Sequence, residues 1–224
     1  MITGLDNPFH AALASLHADI AQVAGDVRAY PPDCAPFLGV PSADLEVDAD
    51  LATAIAPGGS AYLLGVVPRV PRGWSLDSYR PLAQMVRESP LPAPDGPPPL
   101  RLGDAHRADV LALTARVYPH YFRERTMDLG RYFGLYVDGR LAAMIGERLG
   151  DPGHRELSAI CTHPDFLGRG YAGRLTAWLA NDVLASGRVP FLHVSHENAR
   201  AKSLYERLGF RWRRDIPFDA LRRP

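Results

Sequence analysis

The chain has 224 residues, 46% apolar and 22% charged, with 25 basic side chains balancing 25 acidic ones. That length suffices for one large domain or two small ones with a real core, and the composition excludes wholesale disorder. A formal charge of zero excludes a non-specific nucleic-acid binder, which needs a basic surplus. Cys34 and Cys161 are too few and too far apart for a disulfide framework or a closed zinc site, so no metal is expected. The amino terminus lacks a basic stretch followed by an apolar one, and no apolar run approaches the ~18 residues of a membrane span. A cytoplasmic protein that engages neither membrane nor nucleic acid is the expectation.

Phe9, Leu13, Leu16, Ile20 and Val23 recur at three- and four-residue steps, which predicts an amphipathic helix stopped by Pro31-Pro32. A shorter helix is predicted at 43–56, ended by Pro57-Gly58-Gly59, then a buried strand at 61–67 and another at 79–87. His10, His17 and Cys34 are scattered through this half and form no constellation. Six prolines within residues 90–99 cannot donate ladder hydrogen bonds and favour an extended chain. Residues 90–99 therefore read as a linker between a smaller α/β module at 1–89 and a second domain at 100–224.

The second part alternates element types. Residues 100–102 read as a short strand, and Asp104 is suited to cap a helix over 105–117. Segments 132–137 and 141–148 form a hairpin across Asp138-Gly139, a strong turn dipeptide. A strand at 156–162 precedes a helix at 170–185, a strand at 190–194, and a helix at 198–208 closed by Gly209. A last strand is predicted at 211–218, an edge available to a second copy, so a monomer or homodimer is expected. The class is mixed α/β, with an α+β mixed sheet.

Two constellations carry chemistry. In the first, Ile160-Cys-Thr-His-Pro-Asp-Phe-Leu-Gly168-Arg-Gly170-Tyr-Ala172-Gly173, a strand ends and glycines lead into a helix. Such glycines let backbone approach a phosphate, and the first helical N–H groups point at it. The alternative is a tight turn that only packs helix on strand. A dinucleotide fingerprint fits poorly, because six residues separate strand end from glycines and the next strand carries His193 and no carboxylate. A Walker-type loop fits worse, since no lysine and Ser/Thr pair follows. In the second constellation, Asn198 and Tyr205 lie seven apart, nearly two turns, on one helix face. Taken alone, Asn198 could be only a cap and Tyr205 a half-buried core residue. Beside an anion cradle, they place an amide at a strand end and a phenol near a thioester.

Residues 100–218 resemble the GNAT superfamily of acyl-CoA-dependent N-acyltransferases, and most nearly the branch like the C-terminal part of glycine N-acyltransferases. The order of the strand at 156–162, the turn Gly168–Gly173, the helix from Asn198 to Tyr205 and the closing Leu204-Tyr-Glu-Arg-Leu-Gly-Phe210 carries the likeness. The resemblance implies a GNAT-like fold, acetyl-CoA as cosubstrate and an amine as acceptor, with direct attack on the thioester and no covalent enzyme intermediate. It implies that backbone groups of Ile160, Cys161 and Thr162 pair with the pantetheine arm. The amides of Gly168, Arg169, Gly170, Tyr171, Ala172 and Gly173 would hold the pyrophosphate, and Asn198 would bind the pantetheine or orient the thioester. Tyr205 would be the general acid that protonates the leaving thiolate. One departure stands out: where the family usually starts its pyrophosphate loop with Arg or Gln, this chain has Leu167.

For the general base, Glu156 is the first candidate, His193 the second and Glu147 the third; each has a structural alternative as an ion pair, a satisfied core histidine or a solvated carboxylate. Cys161 with His163 invites a Cys–His nucleophile, but no third orienting group is evident. The stretch 118–126 supplies His120, Tyr121 and Arg123 as candidates for the acceptor wall. The first module resembles the amino-terminal half found beside this domain in glycine N-acyltransferase-like proteins, a degenerate sister without a glycine turn, so no second CoA site is expected there. An N-acetyltransferase of a small molecule, amino acid or peptide amine is the leading function; a non-catalytic acyl-CoA sensor and a protein-interaction module are the alternatives.

Overall fold

The structure is a computed structural model and describes residues 3–117, 119 and 121–224. The described residues form thirteen strands, β1 Gln22–Ala24, β2 Val27–Ala29, β3 Leu38–Gly39, β4 Ser60–Leu64, β5 Ser75–Ser78, β6 Leu82–Val86, β7 Leu100–Leu102, β8 Tyr132–Val137, β9 Arg140–Asp151, β10 His154–Thr162, β11 Val189–Ser195, β12 Arg211–Ile216 and β13 Phe218–Arg222. Five α-helices accompany them, α1 Pro8–Leu13, α2 Asp48–Ala54, α3 Arg107–Val117, α4 Tyr171–Ala185 and α5 Ala199–Arg207.

A seven-stranded mixed sheet in the order β12-β6-β11-β10-β9-β8-β7 forms the centre. Its β8–β9 hairpin turns through Asp138 and Gly139, both at positive φ, the backbone that a two-residue turn matched to strand twist requires. One face is covered by α4, whose Leu175, Leu179 and Val183 pack with Ala143 and Ile145 of β9 and with Tyr205 of α5. On the other face lie α1, through Phe9 and Leu13, and α3, through Val110 and Leu113. Two smaller sheets, β1-β2-β3 and β4-β13-β5, complete the fold.

Strand pairing crosses the proline-rich segment. β6 is hydrogen-bonded between β11 and β12, and β13 between β4 and β5. Residues on either side of 90–99 thus contribute to the same sheets. The segment itself is fastened to α4: Leu91 exchanges two hydrogen bonds with the Asn181 carboxamide, at 2.8 and 2.9 Å, and the Pro97 carbonyl accepts from Arg174.

Several element boundaries differ from the sequence reading. The first helix stops at Leu13, and Val23, expected on its apolar face, is 55% exposed in β1. The cause is tertiary: the His17 ring is held by Tyr30 Oη at 2.7 Å and the Leu129 carbonyl at 2.9 Å, so the chain leaves the helix to bury it. The strand predicted at 79–87 is present as β6, shortened to Leu82–Val86, with β5 preceding it in a separate sheet. The strand predicted at 211–218 breaks at Pro217, which has no N–H for a ladder, and β13 departs to pair with β4 and β5.

Candidate active site

The opening that defines the site comes from the register of two parallel strands. β10 and β11 pair only at His154–Val189, Arg155–Pro190 and Glu156–Phe191. Beyond Glu156 the two separate, while β10 stays paired to β9 through Cys161–Met144 and Thr162–Ala143. The β11-facing edge of Leu157–Thr162 is therefore left without a strand partner. Between Ser158 and Cys161 the β9 pairing slips by one residue, with Ala159 at φ 50°, a conformation that costs an alanine roughly 1–2 kcal/mol. Two cavities flank the splay, of about 370 and 330 Å³. They share Val117, Ile160, Cys161, Asn198, Ala201 and Tyr205 as a common wall.

The larger cavity has a polar floor. The Arg148 guanidinium donates to both oxygens of Glu156 at 2.8 Å each, the Leu149 N–H adds a 3.3 Å bond, and His193 Nδ1 lies 2.7 Å from Oε1. Glu156 is 1% exposed. Burial alone would raise its carboxyl, but the charge and N–H donors of Arg148, with His193, pull it down to about 2. The carboxylate is thus ionised at neutral pH and saturated with donors. His193 Nε2 lies 3.0 Å from Gln84 Nε2. The orientation of that carboxamide is fixed, since its Nε2 also donates to the Leu5 carbonyl at 2.8 Å and its Oε1 accepts from Arg213 at 2.8 Å. Gln84 therefore donates to Nε2, and the imidazole carries its proton on Nδ1, toward Glu156. Glu156 and His193 sit together here as one hydrogen-bonded unit. Glu147 does not join them: it lines neither cavity and is gripped by Arg131 at 2.5 and 3.0 Å.

The smaller cavity is a groove along the start of α4. Gly170 caps that helix at φ 76° and Gly168 sits at φ 81°, with open space where a side chain would project from either. Gly168, Gly170, Tyr171, Ala172 and Gly173 line the groove with Ile160, Cys161 and Thr162. An acyl-CoA diphosphate fits this cradle, because the first N–H groups of a fifteen-residue helix face an unobstructed backbone approach. Arg169 lays its guanidinium over the Phe166 ring, 5.1 Å from the centroid, outside the lining. Leu167 is 48% exposed and lines the groove, where Arg200 and Arg207 of α5 supply the cations that Leu167 does not. Asn198 caps α5 through Oδ1, which accepts from the Ala201 N–H at 3.1 Å, leaving its NH₂ group outside the cap. Tyr205 is buried on the wall between the two cavities and meets Phe210 edge-on at 6.2 Å.

Cys161 shares that wall, but burial pushes its thiol up to about 12, which disposes of a thiolate nucleophile. His163 Nδ1 instead accepts the Asp165 N–H at 3.2 Å. Of the expected acceptor-wall residues, Tyr121 lines the larger cavity, Arg123 does not, and His120 lies outside the described residues. The sequence reading missed Arg148, Gln84 and the apolar contributors from the first half, Phe9, Phe37, Leu64 and Leu82. Arg148 had a signal, being eight residues from Glu156 across a tight turn; the others had none. Among the described residues, no group of three or more His, Cys, Asp or Glu is placed to hold a metal ion, and no helix is long and apolar enough to cross a membrane.

The fold has counterparts among solved structures. A crystal structure of a GNAT-family protein from Novosphingobium aromaticivorans matches with a TM-score of 0.88 at 32% identity, covering 99% of each chain. A GCN5-related N-acetyltransferase from Kribbella flavida matches at TM-score 0.63 and 17% identity, over 96% of this chain and 94% of its own. A GCN5-related N-acetyltransferase-like protein from Streptococcus suis matches at 0.57 and 14%, over 95% and 92%; these two share the fold. No curated protein matches the chain. The FR47-like protein family matches residues 132–217, a domain of the kind found in the C-terminal region of glycine N-acyltransferases. Identity and shape over the whole length place the chain in the GNAT acetyltransferase family.

Proposed function

We propose that the protein is an N-acetyltransferase that moves an acetyl or short acyl group from acetyl-CoA to the primary amine of a small molecule by direct attack on the thioester. The observation that carries this reading is the shared wall: a glycine-cradled groove and a separate polar-floored cavity meet at Tyr205 and Asn198. Backbone N–H groups of Gly168–Gly173 hold the diphosphate, and the unpaired edge at Ile160–Thr162 receives the pantetheine amides as a further strand would. Asn198 orients the thioester carbonyl. Tyr205 gives its phenolic proton to the departing sulfur as the amine nitrogen bonds to the carbonyl carbon and the C–S bond breaks.

Glu156 and His193 form the proton-accepting unit. The carboxylate stays ionised, fixes the ring through Nδ1–H and steadies positive charge on it. The amine's proton goes to the Glu156–His193 unit, and solvent returns it to the Tyr205 oxygen, so the products are the amide and the free thiol. The test is thiol release from acetyl-CoA across a panel of amines, followed with a colorimetric thiol reagent. Amine-dependent release supports the reading. Binding of acetyl-CoA with no release for any amine would mark a non-catalytic acyl-CoA sensor and refute it.

A further inference from the structure

The acceptor cavity is walled by Phe9, Phe37, Leu64, Leu82, Tyr121 and Phe218, all of them outside the FR47-like match. Its rings are interlocked: Phe9 stacks on Phe37 at 4.4 Å, Phe218 stacks on Tyr62 at 5.2 Å, and Tyr62 meets Tyr121 at 5.8 Å. Among the described lining residues the charged groups are Arg148, Glu156 and, when protonated, His193. Arg148 and Glu156 neutralise each other in a two-pronged pair, and the Arg148 guanidinium also lies over Phe37 at 5.3 Å. Glu156 already receives donors from Arg148, Leu149 and His193.

Resting on the N-acyltransferase reading, we propose that the acceptor is a small aryl-alkyl or alkyl primary amine with no second charge. A substrate carboxylate would compete with Glu156 for Arg148, and a second ammonium would compete with Arg148 for Glu156. Either adds a charge to a buried pair that is already balanced, a cost that nothing else on these walls offsets. An apolar ring or chain instead loses its water against aromatic faces and gains edge-to-face and stacked contacts. A volume of about 370 Å³ is at the small end for ligand pockets, which suits a single ring with a short amine arm and not a peptide segment.

The experiment uses the full chain with 2-phenylethylamine, phenylalanine, glycine and spermidine, measured for thiol release from acetyl-CoA and, with free CoA present, for amine binding by calorimetry. The expected result is a kcat/KM for 2-phenylethylamine at least about 100-fold above that for phenylalanine, the same ring with a carboxylate, and above those for glycine and spermidine. Equal or better use of phenylalanine, glycine or spermidine overturns the inference while leaving the acyltransferase reading intact. If no amine releases thiol, saturable binding of 2-phenylethylamine alone supports the inference and refutes the acyltransferase reading; no binding refutes the inference. In the Phe218→Ala variant, checked for native melting, KM for 2-phenylethylamine should rise at least about fivefold with kcat within about twofold; an unchanged KM counts against the proposed wall.

Discussion

Replacing Glu156 by Gln tests the polar floor on which the site is built. The variant keeps the shape of the side chain but removes the charge that neutralises Arg148, whose side chain is 17% exposed. Against burial, which raises it, Arg148 and His193 hold the Glu156 carboxyl at about 2 instead of 4.5. That difference corresponds to about 3 kcal/mol of folding free energy at neutral pH. It agrees with the ~3–5 kcal/mol lost when one partner of a buried pair is removed. A depressed acid contributes fully above its unfolded value and loses that contribution as pH falls through its folded one, so the window runs from 4.5 down to about 2. For a chain of this length, Glu156→Gln should lower the melting temperature by about 6–12 °C at pH 7. Calorimetry of parent and variant at pH 7 and pH 3 measures it, and the gap should narrow at the lower pH. Arg148→Met combined with Glu156→Gln should be milder than the sum of the single changes, because the two side chains are coupled. A variant melting within about 2 °C of the parent at pH 7, or a gap that does not respond to pH, would refute the reasoning.

Other expectations follow from the same geometry. Tyr205→Phe should keep CoA affinity by calorimetry while turnover falls ~10²–10⁴-fold; unchanged turnover would remove Tyr205 from the acid role. Gly170→Ala puts a side chain on φ 76° at the helix start; as the free loop relaxes to relieve ~1–2 kcal/mol of strain that CoA must restore, binding should weaken by up to about 5–30-fold if the cradle holds the diphosphate. Cys34 and Cys161 are both buried, with the Cys161 thiol up at about 12, so iodoacetamide should label neither in the native protein at pH 8 and both in guanidinium; rapid native labelling of Cys161 would contradict its burial.

The parts of this fold that local chemistry encodes were legible in the residues. Asp138-Gly139 marks its hairpin because few dipeptides tolerate two positive φ values in succession. Gly170 and Asn198 mark the starts of α4 and α5 because a left-handed cap and a side-chain cap each need a particular residue there. What stayed hidden depends on contacts distant in sequence. Gln84 reaches His193 across 109 residues, and only because β6 inserts between β11 and β12. Likewise the spacing from Phe9 to Val23 satisfies a helix, yet burial of His17 against a carbonyl 112 residues away decides where that helix ends. The Arg148–Glu156 pair lies between these extremes. A shift in the β9–β10 register sets Arg148 and Leu149 opposite one residue, and hairpin arithmetic across Pro152-Gly153 comes within one position of it.

On the proposed mechanism, the splay between β10 and β11, with the α4 amides, sets a thioester sulfur beside the Tyr205 hydroxyl. A crystal structure with acetyl-CoA soaked in tests it most directly. Diphosphate density is expected against the amides of Tyr171–Gly173, and the thioester sulfur within about 3.5 Å of the Tyr205 hydroxyl. Acetyl-CoA bound elsewhere, or a thioester turned away from Tyr205 with its diphosphate in the cradle, would contradict it.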